Sequence, residues 1–250
     1  MRTVVLVVSL VLLVACGTDR PLGPNERSHD QPPELVALGE DVTPLPVTAR
    51  RAHMHARFET VDLARSALMR GDLSAVRSVA STIAFRIPVD LPRAARLHGD
   101  RVPRRALALS AAEDLPTAAS AFAALVGTCG ACHAETGASW SWEQPPLPEG
   151  DDLGARMQRH AWAHERMWEA LLVASPERFD RAADILAVDP ISGDAPPDEE
   201  HPEGIRAIEE RLRDAARDAR DARTMDDRIE IYGRIIATCA GCHARIREIE

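Results

Sequence analysis

The sequence contains no lysine, so all 30 basic residues are arginine, and 39 acidic residues outnumber them. The resulting formal charge of -9 argues against a nucleic acid partner, because a polyanion binds basic surfaces. Aromatic residues are scarce at 4% of the chain, which leaves few large side chains for a core. The rest of the composition, 45% apolar and 28% charged, is typical of a globular protein and excludes collagen-like, multi-span membrane and wholly disordered chains.

The N-terminal segment predicts export from the cytoplasm. Arg2 gives a short positive start, residues 4–14 form an apolar run broken only by Ser9, and Cys16 directly follows the small residue Ala15. This segment resembles a bacterial lipoprotein signal peptide. The resemblance implies that residues 1–15 are removed and that Cys16 becomes a lipidated first residue, held at a membrane surface that faces the periplasm, with the outer membrane favoured. An ordinary secretory signal or an uncleaved anchor is the alternative.

The segments that follow predict a spacer and two folded parts. Residues 16–47 hold six prolines and no sustained hydrophobic period, so we expect a lipid anchor followed by a disordered spacer. A second proline-rich stretch, residues 139–150, predicts a linker between folded domains over residues 48–138 and 151–250.

Four of the five cysteines belong to two copies of the pattern C-x-x-C-H. The copies are Cys129-Gly130-Ala131-Cys132-His133 and Cys239-Ala240-Gly241-Cys242-His243. This pattern is the attachment signature of c-type haem, in which two thiols bind one porphyrin and the adjacent histidine is the proximal iron ligand. The sequence therefore predicts two haem c groups, held covalently by Cys129, Cys132, Cys239 and Cys242, with His133 and His243 as proximal ligands.

Three other interpretations of these cysteines stay open. A thioredoxin-like redox pair would be expected beside a βαβ pattern, whereas the neighbourhood has no convincing strand alternation. A structural zinc site could use the four thiols or include the histidines, but the 110-residue gap between the copies is unlike a compact zinc module. Disulfides within each copy suit an oxidising compartment but give the two histidines no role.

Apolar residues recur every three or four positions ahead of each motif, so each motif continues one face of an amphipathic helix. The two faces are Leu115, Ala119, Phe122, Val126, Cys129, His133 and Met225, Ile229, Tyr232, Ile236, Cys239, His243. They match at the 110-residue offset of the cysteines, which indicates an internal repeat.

Three further helices are predicted ahead of the motif helix in each half. In the first half we expect Pro103 to lie in a loop before a third helix over residues 104–113. In the second half we expect Glu209 on the polar face of the third helix. The predicted fold class is all-α, with two consecutive four-helix bundles that each carry C-x-x-C-H near the end of the fourth helix.

This helix order and motif placement resemble the class II cytochromes c, the cytochrome c prime group and its low-spin relatives, here as a tandem pair. In an up-down-up-down bundle the end of helix four lies beside the start of helix one, so a distal ligand is expected there. The resemblance to low-spin members implies Met54 and Met157 as distal ligands, with His55 and His160 as substitutes. Methionine at such a position is as often a packing residue.

The resemblance implies a function as well as a fold. The expected protein is a membrane-tethered dihaem electron carrier of the cell envelope rather than an enzyme, with redox proteins as partners. Its acidic stretches are typical of solvated faces, and one with a function would steer a positively charged partner. The alternative is an NO- or CO-binding protein with a five-coordinate haem. We expect His98 at the surface and His164 in the core.

Overall fold

Helices make up all the regular structure in the computed structural model, which describes residues 46–85, 93–138, 145–191 and 204–249. Within these ranges the eight α-helices are α1 (Val47–Met69), α2 (Leu73–Phe85), α3 (Arg93–Ser110), α4 (Leu115–Thr136), α5 (Leu153–Leu172), α6 (Pro176–Val188), α7 (Ile205–Asp218) and α8 (Met225–Ile249). The expected all-α class is confirmed. The signal segment, Cys16 and nearly all of the predicted spacer lie outside the described residues.

Local signals in the sequence set several helix ends. The carboxylate of Asp114 accepts a hydrogen bond of 2.7 Å from the backbone N–H of Thr117 and so caps α4. Asp152 caps α5 in the same way through the N–H of Ala155, at 2.9 Å. At its other end α4 stops at Gly137, whose φ of 67° is a left-handed conformation that favours glycine.

The helices of the two halves correspond by two shifts in sequence, one for the first two helices of each half and one for the fourth. An offset of 103 residues maps the ends of α1 and α2, Met69 and Phe85, onto the ends of α5 and α6, Leu172 and Val188. An offset of 110 residues maps the start of α4 onto the start of α8. Helices α1, α2 and α4 therefore have counterparts in α5, α6 and α8.

Consecutive helices pack on one another within each half, and α4 packs on α8 more extensively than any other pair in the described ranges. The first helix of each half also crosses over, with α1 touching α8 and α5 touching α4. Buried apolar side chains from all eight helices belong to one cluster, and residues 43–250 form one compact unit. Both motif helices lie at the centre of this packing.

The central crossing of α4 and α8 depends on two glycines. A Cβ atom on Gly127 of α4 would overlap the end of the Ile229 side chain on α8. A Cβ atom on Gly233 of α8 would lie 3.4 Å from the Cα atom of Ser120 on α4. The missing side chains let the two backbones approach closely.

Helix α3 differs from the prediction. Pro103 lies inside α3, which begins at Arg93 rather than at residue 104. A proline inside a helix removes one backbone hydrogen bond and costs about 3 kcal/mol. Val102 and Ala106, on either side of the proline, are buried where α3 packs against α2 and α4. Tertiary burial therefore outweighs the local preference of proline for a loop.

Helix α4 is the one helix among the described residues that is long and apolar enough to cross a membrane. Its largest side chains on one face, Phe122, Leu125 and Val126, are fully buried in the shared core. A core helix of a bundle has the same length and composition.

Candidate functional site

Both C-x-x-C-H motifs lie in the last turns of a long central helix, α4 for the first and α8 for the second. Cys129 and Cys239 pack against the hydrophobic core, as the helical faces in the sequence predicted. Cys132 and Cys242 are half-buried one turn further on. All four thiols are free, so the described part of the chain contains no disulfide within either motif.

Each motif histidine is held by a backbone carbonyl at the end of a distant helix. Nδ1 of His133 donates a hydrogen bond of 2.9 Å to the carbonyl oxygen of Leu172, the last residue of α5. Nδ1 of His243 donates a hydrogen bond of 2.5 Å to the carbonyl oxygen of Met69, the last residue of α1. The last carbonyls of a helix have no partner within it, which leaves them available as acceptors.

This hydrogen bond determines the tautomer of each ring. A carbonyl oxygen can only accept, so in both histidines Nδ1 carries the proton. Burial lowers the pKa of His133 below its ordinary value of 6.5, although the Leu172 carbonyl opposes this, so its ring is neutral at pH 7. In a neutral ring protonated at Nδ1, Nε2 keeps its lone pair and can bind a metal ion.

An apolar cleft lies beside the second motif. Its volume is about 60 Å³, which is small beside the roughly 300–1,000 Å³ of ligand-binding clefts, and it opens to solvent on one side. Helix α8 contributes Cys239, Cys242 and His243 to its wall, and α5 contributes Met157 and His160. The structure thus brings both predicted distal candidates of the second half to the same cleft as the motif.

The two distal candidates of the second half differ in what their atoms contact. Nε2 of His160 donates a hydrogen bond of 2.7 Å to the carbonyl oxygen of Asp189, so only Nδ1 keeps a lone pair. Burial lowers the pKa of His160, although the Asp189 carbonyl opposes the shift. Met157 is half-buried on the cleft wall.

Glu209 does not lie on a polar face as predicted. It is only 5% exposed and lines the cleft together with His160, whose ring its charge influences. The prediction was wrong because α7 packs with this side of the helix toward α6 and α8, a contact that residue spacing within α7 does not reveal.

The first motif has a different neighbour on its first helix. The charge of Arg57 on α1 acts on the thiols of Cys129 and Cys132 and favours their ionised form. The offset of 103 residues makes Arg57 the counterpart of His160, just as Met54 is the counterpart of Met157. Met54 is half-buried and the substitute candidate His55 is exposed. Residue spacing within the first half does not single out Arg57, although its offset of 103 residues from His160 points to it.

The thiols are unlike those of a redox-active C-x-x-C pair. Burial raises the pKa of Cys129 to about 11 and that of Cys239 to about 12. Burial also raises the pKa of Cys132 and Cys242. Thioredoxin-like cysteines have a lowered pKa, typically at a helix N-terminus, whereas these motifs lie near helix C-termini.

The four thiols are not assembled as a zinc site. Among the described residues no group of three or more histidine, cysteine, aspartate or glutamate side chains is arranged to hold a metal ion. Tetrahedral zinc needs four such ligands at about 2.0–2.3 Å, so the zinc interpretation lacks its geometry. A haem iron takes one histidine nitrogen and one further ligand from the protein, so it needs fewer protein ligands in one place than zinc does.

A buried polar pair joins the second half to α1. The ring of His164 on α5 lies 3.0 Å, through Nε2, from the hydroxyl of Tyr232 on α8. Nδ1 of His164 lies 3.4 Å from a guanidinium nitrogen of Arg65 on α1. On the same side Phe58 of α1 stacks on Trp168 of α5, with ring centroids 5.1 Å apart. His164 is a core residue, as predicted.

His98 departs from its prediction as a surface residue. It is 7% exposed, and its Nε2 lies 2.6 Å from a carboxylate oxygen of Glu135 on α4. The two residues are 37 positions apart, so residue spacing gave no sign of the pair.

The residues of each motif fit a haem c group in their donor chemistry. They offer two thiols one turn apart and a histidine whose Nδ1–H donates to a backbone carbonyl, and the second motif also faces an apolar cleft. Searches of protein-family models, curated proteins and solved structures give no match to this chain.

Proposed function

We propose that this chain is a dihaem c-type cytochrome that carries electrons in the cell envelope. In this proposal its helices form two tandem four-helix units of the class II cytochrome c kind, and each unit holds one haem. Bound haem supplies one-electron redox chemistry at its iron, and the protein binds and orients it and sets its electronic environment.

One observation carries the proposal: both motif histidines have the same backbone anchor. In each, Nδ1–H donates a hydrogen bond to the carbonyl oxygen of the last residue of a helix. A histidine that binds a metal ion usually makes such a bond from its other nitrogen, because the bond fixes the ring and raises its basicity. A chance C-x-x-C-H sequence would not require this arrangement twice.

The chain's own residues take distinct roles. Cys129 and Cys132 hold the first haem and Cys239 and Cys242 the second, with His133 and His243 as the proximal ligands. For the second haem, Met157 is the preferred distal ligand because His160 already uses Nε2 on Asp189. By the 103-residue offset, Met54 is its counterpart at the first haem.

The location and partners follow from the sequence. Removal of residues 1–15 and lipidation of Cys16 would tether the protein to a membrane surface, with the outer membrane favoured, and residues 16–47 would act as the spacer. The acidic balance of the chain favours a basic redox protein as donor or acceptor.

The first test is attachment. The full chain, expressed in a host with active cytochrome c maturation, should carry the mass of two haem groups. Replacing Cys129 and Cys132 together by alanine should remove one of them, and the Cys239→Ala/Cys242→Ala variant should remove the other. An unchanged mass in either variant, or no haem on the wild-type chain, would overturn the proposal.

The second test is the state of the iron. Visible spectra of the oxidised and reduced protein should be low-spin and insensitive to CO. Met157→Leu should change the spin state of the second haem only, because leucine keeps the volume but lacks the thioether. Met225→Leu is the matched control, since Met225 lies at the opposite end of α8. High-spin haem that binds CO in the wild type would instead support the gas-binding alternative.

A further inference from the structure

We propose that the two halves exchange proximal anchors, so that the histidine ligand of each haem site is oriented by the first helix of the other half. This inference rests on the proposed haem function and adds a positioning role for two backbone carbonyls. The end of α5 serves the first motif and the end of α1 serves the second.

The exchange is visible in the hydrogen bonds. His133 belongs to the first half but bonds Leu172, 39 positions later at the end of α5. His243 belongs to the second half but bonds Met69, 174 positions earlier at the end of α1. The offset of 103 residues makes Met69 and Leu172 equivalent positions. The two hydrogen bonds are thus equivalent, and each connects a motif histidine of one half to the first helix of the other half.

Close backbone approach makes these bonds possible. At the first motif, a Cβ atom on Gly130 would overlap the carbonyl oxygen of Leu171, next to the anchor. At the second motif the glycine follows the end of α1 instead of lying in the motif. A Cβ atom on Gly71, two positions after Met69, would lie 2.8 Å from both the carbonyl oxygen of Ala240 and the Cβ atom of Ala244. Each contact contains a glycine where the helix end meets the motif.

The reciprocal bonds have a functional consequence. A stronger Nδ1–H bond makes an imidazole a better electron donor to a bound metal ion, which stabilises the oxidised form. The anchor therefore tunes the reduction potential of the haem in the opposite half. A separated half would retain its cysteines and histidine but lose the carbonyl that orients the ring.

The test that needs no haem is the tautomer of each ring. In the haem-free full chain, long-range ¹H–¹⁵N spectra should show His133 and His243 protonated at Nδ1, whereas a histidine in water favours Nε2–H. Nuclear Overhauser contacts should connect the His243 ring to Met69. An Nε2–H tautomer for both rings would overturn the inference.

Gly71→Ala tests the exchange between halves. The added methyl would push the end of α1 away from α8, so His243 should lose its Nδ1–H tautomer while His133 keeps it. The equivalent turn residue, Ala174, is an alanine at a φ of 50°, so such a turn accepts alanine. Gly137→Ala is the control, because Gly137 has the same φ of 67° as Gly71 and its Cβ would meet nothing within 4 Å.

The same variants give a second readout with haem bound. In Gly71→Ala the potential of the second haem should rise, with the ratio of reduced to oxidised iron increased about tenfold, equivalent to ~59 mV for one electron. Gly130→Ala should have this effect on the first haem only. If Gly71→Ala fails to fold, Gly130→Ala and the wild-type tautomers still decide the question.

The outcomes distinguish a failure of the proposed anchor exchange from a failure of the proposed cytochrome function. Anchored tautomers in a chain that never acquires haem would support the exchange and refute the cytochrome. Two attached haems with no change at the second site in folded Gly71→Ala would refute the exchange and leave the cytochrome intact.

Discussion

At the scale of single residues, the role of each histidine depends on the group that meets its ring nitrogens. His133 and His243 donate from Nδ1, and His160 donates from Nε2. In His164, Nδ1 faces the guanidinium of Arg65, which can only donate, so the proton of this neutral ring lies on Nε2 and is donated to the hydroxyl oxygen of Tyr232. The same residue type therefore has three different hydrogen-bonding patterns in one core.

We expect Tyr232→Phe to destabilise the haem-free chain by about 1–3 kcal/mol, because it leaves a buried N–H of His164 without its acceptor. The double variant His164→Leu/Tyr232→Phe should recover much of this loss, since both partners become apolar. The first half already uses such a pair, Val61 and Phe122, at the equivalent positions. Urea denaturation of the two single variants and the double variant measures the coupling, and additive losses would contradict it.

The buried histidines also predict acid sensitivity. Burial lowers the pKa of His164 from 6.5 to about 3, with the charge of Arg65 acting in the same direction. In the unfolded chain the His164 ring therefore binds a proton below pH 6.5, whereas in the folded chain it does so only at about pH 3. Stability is full above pH 6.5 and falls as the pH decreases through this window, by up to ~1.4 kcal/mol per pH unit.

Urea denaturation of the haem-free chain at several pH values measures whether stability falls as the pH decreases. The slope between pH 6.5 and pH 4 should be smaller in His164→Leu, which has no such proton to bind. The same slope in both proteins would assign the acid sensitivity to other groups. Burial also lowers the pKa of His133 and His160, so part of the slope should persist.

At the scale of helices, the sequence predicted the positions of helices better than it predicted the contacts of single residues. The starts of α4 and α8 coincide with Leu115 and Met225, the first residues of the two periodic apolar faces, because this periodicity is local in the chain. Helix α3 could not be predicted in this way, because Pro103 is a local stop signal that packing against α2 and α4 overrides. The close crossing of α4 and α8 is likewise a property of two helices together.

Gly127→Ala tests that crossing. Its methyl would overlap the end of the Ile229 side chain, and overpacking of this kind costs about 1–3 kcal/mol. Ile229→Val removes Cδ1, the closer of the two overlapping carbons, so the double variant should be more stable than Gly127→Ala alone. Thermal denaturation followed by circular dichroism compares the variants, and a double variant no better than Gly127→Ala would contradict the packing.

At the scale of the whole molecule, the two halves share one core although their sequence repeats. Helices α4 and α8 pack together, α1 and α5 cross to the opposite motif helix, and Phe58 stacks on Trp168 between them. Separation of the halves would expose this central apolar surface. The energetic units of folding therefore need not coincide with the repeat in sequence.

The haem-free chain should consequently unfold in one transition. All four tryptophans lie between residues 140 and 168, so their fluorescence reports the start of the second half, whereas circular dichroism reports every helix. With a shared core the two denaturation curves should coincide. Two separated transitions, with fluorescence following only one, would show that the halves fold independently.

The sequence by itself determined the helical class, the order of helices and the face of each helix that carries a C-x-x-C-H motif. These features depend on the spacing of residues within about 25 positions of one another, and that spacing can be read directly from the sequence. Only the tertiary structure decided that His243 meets the carbonyl of Met69, that Arg57 acts on the first pair of thiols, and that Glu209 is buried. Those facts depend on which helix ends meet, and that is set by the packing of side chains far apart in the chain.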